Sequence, residues 1–126
     1  MSTERYLKKI ETFEKEREFI KNHNIEDNTT ERAMLYSLQI CVEVTMDILA
    51  MKIKDMGLVV EDDYTNIEKL VNENFIKEDQ GELLKQFNGI RNAIVHKYDK
   101  LNMGIIEEAI NRIDDLSDVV NKIFEK

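Results

Sequence analysis

Apolar residues recur at helical spacing along almost the whole chain, interrupted only by short polar connectors. Leu7, Ile10, Phe13 and Ile20 predict a first helix over residues 3–21, and a polar connector follows over 22–28. Asn28, with Glu31 three residues on, has the spacing of a capping box. From there to about Met56, apolar residues cover most of the circumference of a second helix. Ile40, Val42 and Val44 alternate like a strand, but the apolar run around them is too long for one. Gln39, Glu43 and Asp47 form a single polar stripe at i, i+4 and i+8. A helix so apolar is expected at the centre of the fold, or shared with a second subunit. Gly57 ends it, and a short helix is predicted over 65–72. Asp79 with Glu82 marks the next start, and Leu83, Phe87, Ile90 and Ile94 form that helix's core stripe. The pattern breaks over 98–101, with Asn102 as a cap. Ile106, Ala109, Ile113, Leu116, Val120 and Ile123 then define one final helix.

The chain contains no proline and only four glycines, so breaks inside helices are rare. The expected fold is all-α: an up-and-down bundle of four long helices plus one short helix, in a single domain over residues 1–126. That length supports one core without disulfides or metals. The one cysteine, Cys41, lies in an apolar run and reads as a small buried hydrophobe, which suits a reducing interior. The N-terminus is charged and has no apolar signal core. Gln39, Glu43 and Asp47 interrupt the apolar run over 33–51, so no membrane span and a cytoplasmic location are expected.

Charge narrows the function. With 18 basic and 26 acidic residues the net charge is −8. A face that only grips nucleic-acid backbone should be basic, so the balance counts against a general RNA or DNA binder. It is compatible with cleavage at a small local site, and with a partner that presents a basic surface.

The candidate chemistry is concentrated in the segment R-N-A-I-V-H-K-Y, from Arg91 to Tyr98. The chain has two histidines, and the other, His23, lies in the polar connector. Imidazole moves protons near neutral pH, and guanidinium stabilises phosphoryl oxygens, so the pair suits a phosphodiester. At about 100° per residue, with Arg91 at zero, the core stripe falls at roughly −40° to −100° and His96 at roughly 140°. His96 therefore faces away from the bundle, and Arg91 and His96 diverge on a regular helix. Either the helix ends or deforms near His96, or a second copy completes the site. A composite cleft at a homodimer interface is the preferred reading. Asn92 lies one turn before His96 and can orient the imidazole, contact a phosphate, or be a solvated amide. Tyr98 is either an aromatic packed at a subunit seam or an accessible phenol. A carboxylate-bridged metal site on Glu43 and Asp47 is disfavoured because no Glu-x-x-His pattern exists. No glycine-rich phosphate loop appears either, so no cofactor is expected.

At these residues the sequence resembles the HEPN superfamily, and within it the HepT-like toxin branch of HepT/MntA-type toxin–antitoxin systems. The HepT-like motif Arg-x4-His-x-Tyr is matched at Arg91, His96 and Tyr98, preceded by the similar approach F-N-G-I. The likeness extends back through E-R-A-M-L-Y-S-L-Q-I-C-V-E-V-T-M-D-I and forward through D-D-L, covering roughly residues 5–122. It implies a helical homodimer acting as a metal-independent endoribonuclease toxin of a type VII system. Arg91, Asn92 and His96 would form the cleavage site. A cognate nucleotidyltransferase antitoxin would transfer AMP from ATP to Tyr98, so ATP would belong to that partner. Some relatives are described chiefly as noncatalytic partner subunits of a minimal nucleotidyltransferase, which is the alternative role.

Overall fold

The computed structural model describes residues 3–125; residues 1–2 and 126, the ends of the expected domain, lie outside it. Six α-helices follow one another: α1 (Thr3–Asn22), α2 (Asn28–Asp55), α3 (Asp63–Asn72), α4 (Glu78–His96), α5 (Met103–Asn111) and α6 (Ile113–Glu125), with a single 3-10 turn at Tyr98–Lys100. No strand occurs among the described residues. The stretch containing Ile40, Val42 and Val44 is helical throughout.

Pairings between side chains fix the topology. Glu16 meets Ser37, and Lys9 meets Asp47, so α1 and α2 are antiparallel. Glu68 meets Lys85, and Gly81 packs on Val71, which sets α3 against α4 in the same sense. Gln86 meets Arg112 and Gln80 meets Lys122, so α4 runs against α5 and α6. Ser117 returns to Glu14. The four long elements thus form the expected up-and-down bundle, with α3 as the short helix. α2 packs against α1, α3, α4 and α6, and Leu38, Ile48, Leu49 and Ile53 on it are fully enclosed. This central place explains its apolar circumference. α2 has the length and hydropathy of a membrane span, but most of its apolar window is buried among the other helices. Cys41 lies in the same core, and burial pushes its thiol up to about 12.

The ends of the helices differ in detail from the sequence expectation. α2 is capped one residue earlier than Asn28: Asp27 Oδ1 accepts from Thr30 N (2.8 Å), and Thr30 Oγ1 accepts from Asp27 N (2.9 Å). Threonine replaces the glutamate of the expected box because its hydroxyl is short enough to close the same ring. α3 starts at Asp63, with Asp62 Oδ1 accepting from Thr65 N. α4 starts at Glu78, where Gln80 Oε1 accepts from Lys77 N, rather than at Asp79 with Glu82. Gly57 ends α2 at φ +77, where Leu58 N donates to Ile53 O (3.1 Å). Asn102 caps α5 as expected, accepting from Ile105 N.

The expected final helix is two. At Arg112 the backbone N–H is shared between Glu108 O and Ala109 O, both at 3.1 Å, so the ladder tightens locally toward 3-10. No glycine or proline marks the break, and the apolar stripe continues across it, which is why periodicity alone does not reveal it.

At Gly81, α4 comes close against α3. A Cβ there would lie 2.6 Å from Val71 Cγ2, on a side chain with little rotamer freedom. Gly81→Ala is expected to destabilise the chain by about 1–3 kcal/mol of overpacking, less about 1 kcal/mol from better helix propensity. Urea unfolding measures the difference, and a raised midpoint counts against the close approach.

Candidate active site at the end of α4

α4 outruns its neighbour. α3 covers only the first half of it, where Gly81 packs against Val71 and Ile67 and Lys85 reaches Glu68. The Lys85 ammonium also lies 4.6 Å from the centre of the Tyr64 ring. The first turn of α3 then arrives level with Arg91. Asp63, Arg91 and the α2 residues Glu43, Met46 and Asp47 line an open cleft of about 310 Å³ there. Beyond it the last turn of α4 is uncovered, and Asn92, Val95 and His96 are exposed.

The helix stops at His96. Lys97 N donates to Ala93 O (2.8 Å), Lys97 adopts φ −136, and the 3-10 turn carries Tyr98 away from the helix path. The helix thus ends at His96, but His96 is itself still helical, so the end does not turn it toward Arg91. Tyr98 does not return over Arg91 on a continued helix. The divergence of Arg91 and His96 remains: Arg91 turns inward to α2, while His96 faces solvent and forms no side-chain hydrogen bond among the described residues.

Arg91 is held on two sides. Its Nε and Nη2 both lie 3.0 Å from Glu43 Oε2, and its Nη1 donates to Asn92 Oδ1 at 2.9 Å. Gln39 Nε2 donates to the same Glu43 oxygen at 3.1 Å. Asp47, one turn further along α2, pairs with Lys9 at 2.9 Å. The polar stripe of α2 is thus where cations from α4 and α1 land within one chain. Asp63, at the cleft edge, has its carboxyl raised from the usual range: burial raises it most, the Arg91 charge opposes this, and Asp47 and Asp62 add to it.

Arg91 and Asn92 are therefore in direct contact, and His96 and Tyr98 follow further along the chain, with no hydrogen bond to them among the described residues. Glu43 and Gln39 are the residues whose link to the site sequence reasoning missed. The available signal was their position as polar residues on an otherwise apolar helix. His23 lies elsewhere: its Nδ1 is 2.8 Å from Phe19 O, and its ring stacks on Phe19 at 4.0 Å, finishing α1. Among the described residues, no three His, Cys, Asp or Glu side chains are grouped to hold a metal.

The sequence profile of the family described as Ribonuclease HepT-like matches residues 3–123. The chain belongs to the HepT-like ribonuclease family. Membership carries the endoribonuclease class expected from the sequence. An RNase candidate of Archaeoglobus fulgidus is 47% identical over 125 residues, 99% of this chain and 95% of that one. A second, from Methanocaldococcus jannaschii, is 61% identical over 67 residues, 53% of this chain and 77% of that one. Among solved structures, the tri-AMPylated HEPN toxin of Shewanella oneidensis, in complex with its MNT antitoxin, superposes with a TM-score of 0.90 at 22% identity and full coverage of both chains. A toxin–antitoxin structure with AMP-PNP gives the same TM-score and identity, covering 98% of this chain and 99% of that one. These likenesses establish the HEPN fold for this member of the HepT-like family.

Proposed function

We propose that this HepT-like chain is a metal-independent endoribonuclease toxin of a type VII toxin–antitoxin pair. In this reading residues 1–126 form one domain, act as a cytoplasmic homodimer, and are silenced by AMP transfer to Tyr98 from the ATP of a nucleotidyltransferase antitoxin. The observation that carries the reading is the exposed end of α4, which bears Arg91, Asn92 and His96 in a member of a ribonuclease family. Catalytic roles fall to Arg91 and His96, with Asn92 beside them.

The second copy supplies what one chain lacks. Arg91 and His96 diverge on α4, so a dyad that brings two α4 ends together offers each phosphate a guanidinium and two imidazoles. An apolar groove of about 400 Å³ runs along the same helix, lined by Phe87, Gly89, Ile90, Ala93 and Ile105 among others. Val95 is exposed on the edge between Arg91 and Asn92. Covering these surfaces favours association. Sedimentation at micromolar concentration is expected to give twice the chain mass, and a persistent monomer overturns the composite site.

The reaction is internal phosphoryl transfer. One imidazole takes the proton of the 2′-hydroxyl as its oxygen attacks the adjacent phosphorus. The bond from phosphorus to the 5′-oxygen breaks, and that oxygen takes a proton from the second imidazole. Arg91 stabilises the charge on the crowded phosphate. Because the RNA supplies the nucleophile and the protein the proton relay, no metal-bound water is required. The products are a 2′,3′-cyclic phosphate and a 5′-hydroxyl. Purified chain is expected to cut single-stranded RNA in excess chelator and to leave DNA of the same sequence intact. Cleavage that returns only with a divalent ion, with RNA folding controlled, contradicts this mechanism.

A further inference from the structure

We infer that Glu43 is a positioning residue for cleavage, holding the Arg91 guanidinium in the orientation in which its free edge meets a phosphate, with Gln39 holding Glu43 in turn. The inference rests on the ribonuclease reading above. A guanidinium carries five N–H donors in a fixed plane. Glu43 Oε2 accepts one from Nε and lies 3.0 Å from Nη2 as an ion pair, and Asn92 Oδ1 accepts one from Nη1. Five less these two leaves three donors, one on Nη1 and two on Nη2. The plane is therefore fixed from two helices, α2 and α4, while part of the group remains available to an incoming oxygen.

The surroundings make this anchor necessary. Among the described residues, Arg91 is the one cation lining a cleft that also contains Glu43, Asp47 and Asp63. Without a defined partner its guanidinium could settle on any of these carboxylates. Asp47 is already drawn off by Lys9 on α1, and Asp63 is partly desolvated with its carboxyl raised. Glu43 is the carboxylate within hydrogen-bond reach, and the Gln39 amide restricts its rotation. The side chains of Arg91 and Glu43 are 28% and 33% exposed, enough shelter for the pair to be less screened than a surface bridge. A phosphate then meets a guanidinium whose aim is set before the substrate arrives, which is where orientation lowers a barrier.

The test compares Glu43→Ala and Glu43→Gln with wild-type protein, using a short single-stranded RNA under saturating and subsaturating conditions. Glu43→Ala is expected to lower kcat by about 10–100-fold, with KM changed by less than about threefold, and to keep a cooperative unfolding transition. Glu43→Gln, whose amide oxygen still accepts from Nε, is expected to recover most of the lost kcat. Unchanged or raised cleavage by folded Glu43→Ala overturns the inference, the latter showing that Glu43 masks Arg91. A loss confined to KM overturns it as well. The Arg91 Nε–H resonance in nitrogen-15-labelled protein decides the point independently of activity. Slow solvent exchange in wild type and fast exchange in Glu43→Ala are expected. Fast exchange in wild type shows that the anchor does not hold, whether or not RNA is cut. Wild-type protein that cuts no RNA but shows the protected resonance removes the ribonuclease reading and, with it, a positioning role in cleavage.

Discussion

Chain carrying His96→Ala is expected to lose about 10²–10⁴-fold in RNA cleavage while unfolding at the wild-type temperature. The two halves of this expectation have separate causes. His96 is the last residue of α4, exposed and without a side-chain hydrogen bond among the described residues, so its removal breaks no packing. In the proposed dimer the same substitution removes both proton carriers, the base for the 2′-hydroxyl and the acid for the leaving oxygen. Arg91→Ala is expected to impair cleavage too, but at some cost in stability, because it leaves Glu43 half-buried beside Asp47 and Asp63 without its cation. His96→Ala is therefore the cleaner test of chemistry. It also separates the two roles open to a HepT-like chain. A noncatalytic partner subunit has no use for the imidazole, and RNA cleavage that survives in folded His96→Ala protein assigns the activity to something other than this site.

The sequence revealed the helices well because a bundle writes its core as a 3.6-residue period. Leu83, Phe87 and Ile94 are buried as that period requires, and the spread of apolar residues around α2 correctly marked it as central. Helix ends were less legible. Caps depend on which of several adjacent polar residues turns its side chain back, and Asp27 with Thr30 took the place of Asn28 with Glu31. The division at Arg112 leaves no trace in the apolar stripe. At the site, motif spacing singled out Arg91, Asn92 and His96, and helix geometry anticipated that Arg91 and His96 would diverge. The Arg91–Glu43 pair spans 48 residues, and no local pattern announces it. The i, i+4, i+8 spacing of Gln39, Glu43 and Asp47 indicated a shared face, but which cations would meet that face was set by how α1 and α4 dock on α2.

Incubating the chain with the nucleotidyltransferase antitoxin proposed for it, ATP and magnesium is expected to add one or more AMP units at Tyr98 and to abolish RNA cleavage. The chemistry is transfer of an adenylyl group: the phenolic oxygen bonds to the α-phosphorus of ATP, pyrophosphate leaves, and the phenolic proton is lost to solvent or to a base. Exposure alone does not select Tyr98. Of the four tyrosines, Tyr6 is buried and bonded to Asp55. Tyr36 and Tyr64 are 59% and 57% exposed against 45% for Tyr98. Position is what distinguishes them. Tyr64 lies under the Lys85 ammonium, and Tyr36 stands on the first half of α2, far along the chain from His96. Tyr98 lies two residues past His96, in a short 3-10 turn between Lys97 and Lys100. An AMP group there places bulk at the mouth of the proposed cleft. It also brings a phosphate charge that competes with RNA for Arg91 and the nearby lysines. Both effects fall on substrate entry, so the modified chain is expected to lose RNA binding along with cleavage. Intact-mass and peptide mass spectrometry locate the adduct, and modification confined to Tyr36 or Tyr64 rules out the assignment. Tyr98→Phe protein is expected to resist silencing by the partner with ATP, and a variant that stays fully suppressible shows that binding of the partner suffices.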